Sequence, residues 1–137
     1  MKKLLFGLLL TMIPVLPVTA ADTGITPDVR DAFESYIELP SILVPVLKKA
    51  QDKQSADAAA AELSASLPNI YTTRSKLHNI QSLTQEQSIA ISRQYGQRMR
   101  EEWARIYEEI ERLRKARCYQ SPEFLKAYRL MCMMIEK

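Results

Sequence analysis

Glycine is scarce in this chain, with only 3 copies in 137 residues. One of them, Gly7, lies in an apolar leader, which leaves Gly24 and Gly96 for the remainder. β-Sandwiches and barrels need many tight turns, and glycine adopts the backbone conformations of such turns most readily. The scarcity therefore argues against a turn-rich β fold and predicts an all-α protein with long helices and few loops.

Histidine and cysteine are also rare, with 1 and 2 copies. A single histidine, His78, leaves little from which to build a His-based metal site or a Ser/His/Asp triad. The sequence has no Gly-rich phosphate loop and no CxxC pair. We therefore expect no metal, no cofactor and no enzymatic activity.

Net charge gives no support to a nucleic-acid partner. The chain has 19 basic and 16 acidic residues, and two of the basic residues, Lys2 and Lys3, belong to the leader. The remainder is nearly neutral, whereas nucleic-acid-binding domains carry a marked basic excess. We expect no binding to nucleic acid.

The first twenty residues are typical of an export signal. Lys2 and Lys3 precede an apolar run that ends in small residues at Ala20, the pattern that a signal peptidase reads. As a helix the run would span only ~22 Å, less than the ~30 Å core of a bilayer. We expect a cleavable signal peptide over 1–20 and a single periplasmic or secreted helical domain over 21–137, with no membrane span after cleavage. An uncleaved anchor is the alternative.

Two helices are predicted in the first half of that domain. Thr26-Pro27-Asp28 combines a capping residue, a first-turn proline and an acid at the positive end of the helix dipole, so a helix begins there. Pro40 and Pro45 predict a kink in it or a division into two pieces. A second helix, with Ser55 as its expected cap, has a heptad-like apolar seam, which consists of Ala56, Ala60, Leu63, Leu67, Ile70, Arg74 and Leu77.

Arg74 is the polar exception in that seam. In one interpretation its aliphatic stem packs against the neighbouring helix while the guanidinium reaches solvent. In the other it forms a buried ion pair with an acid of another helix. The sequence alone leaves both open.

Two more helices are predicted in the second half. Thr84 and Gln87 form a capping box at the start of a long helix, which is predicted to run from Gln85 to Arg117. Ser121-Pro122-Glu123 repeats the start signal for a last helix. We expect an antiparallel bundle of three to four helices around a long helical hairpin that joins the second and third helices near Ser82–Thr84.

The two cysteines, Cys118 and Cys132, are candidates for a disulfide because the chain is expected to be exported. The bridge requires that Cys118 to Ser121 run extended along the last helix, so that the two Cα atoms come within ~4.4 to 6.8 Å. Two unpaired thiols and an intermolecular link are the alternatives.

Leu83, Thr84 and Gln87 form one LTxxQ motif. It resembles the motif of the Spy and CpxP type of small periplasmic helical chaperones and stress sensors, whose pattern has a second copy that this chain lacks. The resemblance implies an ATP-independent surface that binds client proteins, and no catalysis. The Ala-rich run 55–60 and the pair Tyr95-Gly96 are also similar to small exported helical proteins of bacteria, which implies no activity.

The expected function is therefore binding to a protein partner or client through a helix surface, and oligomerisation is compatible with it. Large side chains that the core does not need would form the adhesive surface. The residues from which that surface would be drawn are Tyr95, Met99, Trp103, Tyr107 and Met131.

Two alternatives use other residues. A small-ligand module or a small hydrolase would use a cleft at the first helix, with Arg74, His78 and Cys118 as its polar groups. A soft-metal site would use sulfur ligands from the Met-rich end of the last helix, where Met131, Cys132 and Met134 are close in sequence. The structural alternative is that the thioethers of these residues fill an irregular end of the bundle.

Overall fold

The computed structural model describes residues 24–136, so the predicted signal peptide and its cleavage site lie outside the described residues. Within these residues the chain forms four α-helices and no strand, which confirms the prediction of an all-α bundle. The helices are α1 (Pro27–Lys49), α2 (Lys53–His78), α3 (Gln85–Lys115) and α4 (Pro122–Glu136), and a short turn, Arg117–Gln120, joins α3 to α4. None of the four is long and apolar enough to cross a lipid bilayer.

Side-chain caps fix the starts of the helices. Thr26 accepts a hydrogen bond from the Val29 amide at 3.4 Å, and Thr84 accepts one from the Gln87 amide at 3.1 Å, as the capping motifs predict. The start of α2 differs from the expectation. Asp52 is its cap and Ser55 is the third helical residue, with reciprocal bonds of 2.8 and 3.0 Å between them. Asp52 is the better acceptor because its carboxylate is charged.

The prolines do not divide α1, which is one continuous helix through Pro40 and Pro45. A proline at position 40 cannot bond the carbonyl of Tyr36, four residues earlier. The indole Nε1 of Trp103 on α3 donates to that carbonyl instead, at 3.1 Å. Pro45 and Pro68 are exposed, so water can satisfy the carbonyls that they leave free. A neighbouring helix therefore compensates for the one proline of the three that is buried.

The closely packed helix pairs are α1 with α2, α1 with α3, and α2 with α4. α3 runs parallel to α1, because Tyr95 contacts Glu34 near the start of both helices and Arg112 contacts Leu47 near the end of both. The helical hairpin is thus formed by α1 and α2, and the loop 79–84 carries the chain across to α3. The apolar seam of α2 is covered by α1 and α4, which leaves the stripe of α3 to pack on α1.

Arg112 ties the end of α1 to α3. Its guanidinium donates to the carbonyls of Leu47 and Ala50, both at 2.9 Å, and to the hydroxyl of Tyr119 at 2.9 Å. It also pairs with Glu109 at 2.7 Å. These carbonyls lie at the negative end of the α1 dipole, where only that of Leu47 accepts from a backbone amide, that of Ala50 at 3.3 Å, so a cation there stabilises them.

The helices differ in length, and this shapes one side of the bundle. α4 has 15 residues, whereas α2 has 26 and α3 has 31. α4 runs parallel to α2 and reaches the level of Arg74, where its last turn lies against that side chain. Beyond this level residues 24–136 contribute three helices, and an open groove lies between the end of α4 and α2.

Candidate functional site

The groove lies between the C-terminal parts of α2 and α4 and has a volume of about 670 Å³. We call it the α2–α4 groove. Its α2 wall ends at the helix cap Asn79, and its α4 wall is formed by the last two turns of that helix. The lining residues are Tyr71, Arg74, Ser75, His78, Asn79, Leu130, Met133 and Met134.

Large apolar side chains are exposed along this groove. Tyr71 is 69% exposed, Met133 53% and Leu130 43%. Leu130 and Met133 are three residues apart and so lie on one face of α4. Exposing large side chains next to one another has no benefit for folding, because burial of such a side chain stabilises by about 1.5–3 kcal/mol. The cluster is therefore a candidate contact surface.

Arg74 joins the two walls of the groove. Its Nη1 donates to the carbonyl of Met134 and, at 3.4 Å, to that of Ile135. These carbonyls lie in the last turn of α4, where the helix has no further amides to bond them. Arg74 is half-buried, and it pairs with no acidic side chain within residues 24–136, so the buried ion pair that the sequence allowed is not seen there. It caps α4 from the neighbouring helix.

A smaller cavity of about 370 Å³ continues from the groove towards α1 and α3 and shares Arg74, His78 and Met134 with it. The rings of Tyr36 and Trp103 stack in its wall, with centroids 4.4 Å apart. Burial, more than the nearby Tyr107, raises the pKa of Tyr36, and Arg74 acts in the opposite direction. The phenol of Tyr36 is therefore neutral at physiological pH, and the cavity combines an aromatic wall with one cationic side.

The five residues from which the adhesive surface was expected have different surroundings. Tyr95, Trp103 and Met131 are buried in the core, and Met99 is half-buried. Tyr107 is 54% exposed and packs its ring beside Trp103, with centroids 6.1 Å apart. The adhesive surface was expected to consist of residues that the core does not need. Tyr107 fits that description best of the five.

The site residues expected from the sequence do not include Tyr71, Leu130 or Met133. Each lies close to a seam residue in sequence, since Tyr71 follows Ile70 and Leu130 precedes Met131. A large apolar residue just outside a helical seam is the signal that would have pointed to them. Their common surface, however, depends on the pairing of α2 with α4.

The polar residues of the alternative cleft are divided between two places. Arg74 and His78 both line the α2–α4 groove. Cys118 lies next to the other end of α4, about 18 Å away along the helix axis at 1.5 Å per residue, and lines a different cavity. Of the three residues proposed as soft-metal ligands, Met134 lines the groove, whereas Met131 is buried and Cys132 is half-buried.

Both cysteines are unbonded thiols in the structure. Cys118 is buried, and burial raises its pKa to about 11. Burial also raises the pKa of Cys132. The disulfide stays a prediction, which mass spectrometry of the unreduced protein with and without alkylation decides.

Residues 24–136 contain no group of three or more His, Cys, Asp or Glu side chains that could hold a metal ion. No protein-family model, no curated protein and no solved structure matches this chain.

Proposed function

We propose that this chain is an exported, non-enzymatic helical protein that binds an amphipathic segment of another protein in the α2–α4 groove. The observation that carries the proposal is the exposure of Tyr71, Leu130 and Met133 along one groove. Tyrosine is among the residues that supply most of the binding energy at protein interfaces, and methionine is also enriched there.

The walls of the groove favour a helical occupant. α2 and α4 run side by side, and an amphipathic helix lays its apolar face into such a groove with anchors three and four residues apart. Met133 and Met134 are unbranched and adaptable, which suits a surface that accepts segments of different shape.

The charged side chains of the groove indicate which partner segments it would prefer. Arg74 and His78 are the basic side chains that line the groove, and no carboxylate of residues 24–136 lines it. An acidic residue beside the apolar face of the partner would therefore meet a complementary potential, whereas a basic one would be repelled. We infer that the preferred segment combines apolar anchors with acidic flanks.

Two sequence features support the proposed export and client binding. The leader over 1–20 is typical of export, which would bring the protein to the periplasm or the exterior. The LTxxQ resemblance implies a client-binding chaperone that needs no ATP. In this structure Thr84 and Gln87 cap α3, and Gln87 also donates to the Gly24 carbonyl at 3.0 Å, so the motif supports the fold and lies outside the groove.

The test measures both binding and chaperone activity. A fluorescein-labelled amphipathic Leu/Glu peptide reports binding by anisotropy, and a thermally denatured model client reports suppression of aggregation by light scattering. We expect Tyr71→Asp and Met133→Asp to weaken both activities, because each places a charge in the apolar surface. Ile42→Asp is the matched control, since Ile42 is 42% exposed on α1 and lies outside the groove.

Tyr107→Asp separates the two candidate surfaces. It should leave both activities unchanged if the α2–α4 groove binds the partner, and abolish them if the surface expected from the sequence does. The proposal fails if the protein binds neither the peptide nor the client, or if Tyr71→Asp and Ile42→Asp have equal effects. A Leu/Lys peptide that binds as tightly as the Leu/Glu peptide would overturn the charge preference.

A second candidate function is soft-metal binding in the same groove. His78, Met133 and Met134 line it together, and an imidazole with two thioethers suits Cu(I). Titration with Ag(I), a redox-inert substitute, should then shift the methyl signals of Met133 and Met134 in NMR spectra, and His78→Ala should abolish saturable binding. Absence of saturable Ag(I) binding would remove this candidate.

A further inference from the structure

A separate cavity of about 390 Å³ lies at the corner where α3 turns into α4. We call it the corner cavity. Its interior is mostly apolar, with Leu113, Leu125, the Tyr128 ring and the Cys118 thiol in its wall. Its remaining lining residues are three arginines, Arg114, Arg117 and Arg129. Its α4 residues, Leu125, Tyr128 and Arg129, precede those of the α2–α4 groove along the helix, and the two cavities share no lining residue.

The turn that shapes this cavity has an unusual backbone. All four residues of Arg117–Gln120 have positive φ angles, between 49° and 60°, and none of them is glycine. The left-handed conformation costs an ordinary L-residue roughly 1–2 kcal/mol, and it normally occurs at single positions. Strain of this kind is found mainly where the backbone serves a function. Here it places Arg117 and Cys118 at the cavity.

The arginines of the cavity differ in their ion pairs. Arg114 pairs with Glu111 at 2.7 Å, so its charge is neutralised locally. Arg117 and Arg129 form no ion pair with any residue of the described range 24–136. Two guanidinium groups without an ion pair in that range therefore line one small cavity, where they offer an anion two cationic partners.

We propose that the corner cavity binds an oxyanion, a phosphate or a carboxylate, through Arg117 and Arg129. The planar fork of a guanidinium matches both groups with paired hydrogen bonds. The apolar wall formed by Leu113, Leu125 and Tyr128 adds room for an alkyl chain attached to the anion, and the volume lies in the usual range of small-molecule sites. This site is independent of the proposed groove.

The experiment compares three probes by isothermal titration calorimetry on the purified protein. They are dodecyl phosphate below its micelle concentration, inorganic phosphate, and the uncharged dodecyl maltoside. We expect dodecyl phosphate to bind, dodecyl maltoside to bind at least about tenfold more weakly, and Arg117→Gln with Arg129→Gln to weaken dodecyl phosphate about tenfold or more. Arg93→Gln with Arg98→Gln is the control, because both residues are exposed on α3 and neither lines the cavity.

The relative affinities of the three probes identify the ligand of the corner cavity. If dodecyl phosphate binds more tightly than inorganic phosphate, the site takes a lipid-like anion; if the two bind equally and both need the arginines, it takes a free anion. The proposal is overturned if neither phosphate binds, if dodecyl maltoside binds equally well, or if the Arg117/Arg129 variant and the Arg93/Arg98 control behave alike. Because all four arginines are exposed, circular dichroism should show an intact fold in both double variants.

Discussion

The bond from Trp103 to the Tyr36 carbonyl makes a prediction that one thermodynamic cycle can test. Pro40 leaves this carbonyl without its helical partner, and the indole Nε1 supplies the bond at 3.1 Å. Trp103→Phe keeps an aromatic ring in the core but removes the donor. The carbonyl is then unsatisfied, which should cost about 1–3 kcal/mol in addition to the packing lost with the larger ring.

Replacing Pro40 by alanine should remove that additional cost. The alanine introduces a backbone amide that can bond the Tyr36 carbonyl within α1, so Trp103→Phe in the Pro40→Ala background should lose only packing energy. The coupling energy between the two substitutions is therefore expected to be about 1–3 kcal/mol. Urea denaturation followed by far-ultraviolet circular dichroism measures all four free energies of unfolding, and it does not depend on the fluorescence of the single Trp.

Pro68→Ala provides the matched control background. Pro68 is an exposed proline inside α2, and the carbonyl that it leaves free can bond water. Trp103→Phe and Pro68→Ala should be additive to within about 0.5 kcal/mol, as expected for sites that share no partner. If the coupling energy between Trp103→Phe and Pro40→Ala is also no larger than about 0.5 kcal/mol, Trp103 does not compensate for the buried proline.

Three further predictions concern stability. Arg112→Met should cost about 3–5 kcal/mol in urea denaturation, because it leaves Glu109 and the α1 carbonyls without their cation. Arg114→Met, which breaks an exposed pair on the same helix, should cost less than about 1 kcal/mol, and similar losses for both would contradict the role of Arg112. Because the pKa of Cys118 is raised from 9.0 to about 11, the folded state holds this proton more tightly, so its stabilising contribution is present below pH 9 and is lost as the pH rises to 11. Denaturation of the wild type and Cys118→Ser across that range checks this, and an equal decline in both would be inconsistent with it. Thr84→Ala should lower stability by about 1 kcal/mol, measured by thermal unfolding, and no loss would exclude the cap.

Much of the secondary structure could be predicted from the sequence because its signals are local. Thr26, Thr84 and Ser121 each accept from a backbone amide three residues ahead, and the sequence of those few residues specifies the cap. The start of α2 was placed at the wrong residue because Asp52 and Ser55 can both cap a helix. Only the geometry of their reciprocal bonds identifies Asp52.

Tertiary pairing was harder to predict because an apolar seam does not specify its partner. Within α3, Glu108 and Glu109 are four and three residues before Arg112 and are both within its reach, and the structure pairs Arg112 with Glu109. The carbonyls of α1 draw the guanidinium to that side, and no pattern within α3 indicates their position. The left-handed turn at Arg117–Gln120 likewise has no glycine to signal it.

The candidate site could be predicted only in part for the same reason. Arg74 and His78 were identified as unusual residues of α2, and both line the groove. Tyr71 and Met133 come from different helices, and their common surface arises because α4 is short and lies beside α2. That arrangement depends on contacts such as the one from Arg74 to Met134, whose partners are 60 positions apart.

NMR spectra of protein labelled with ¹³C at the methionine methyl groups test the central claim most directly. In the described residues, Met133 and Met134 line the α2–α4 groove, whereas Met131 is buried in the core and the half-buried Met99 lies outside the groove. On titration with the Leu/Glu peptide we predict saturable shifts of the Met133 and Met134 signals, with those of Met99 and Met131 little changed. Saturable binding that leaves Met133 and Met134 unshifted would contradict the assignment of the groove as the binding site.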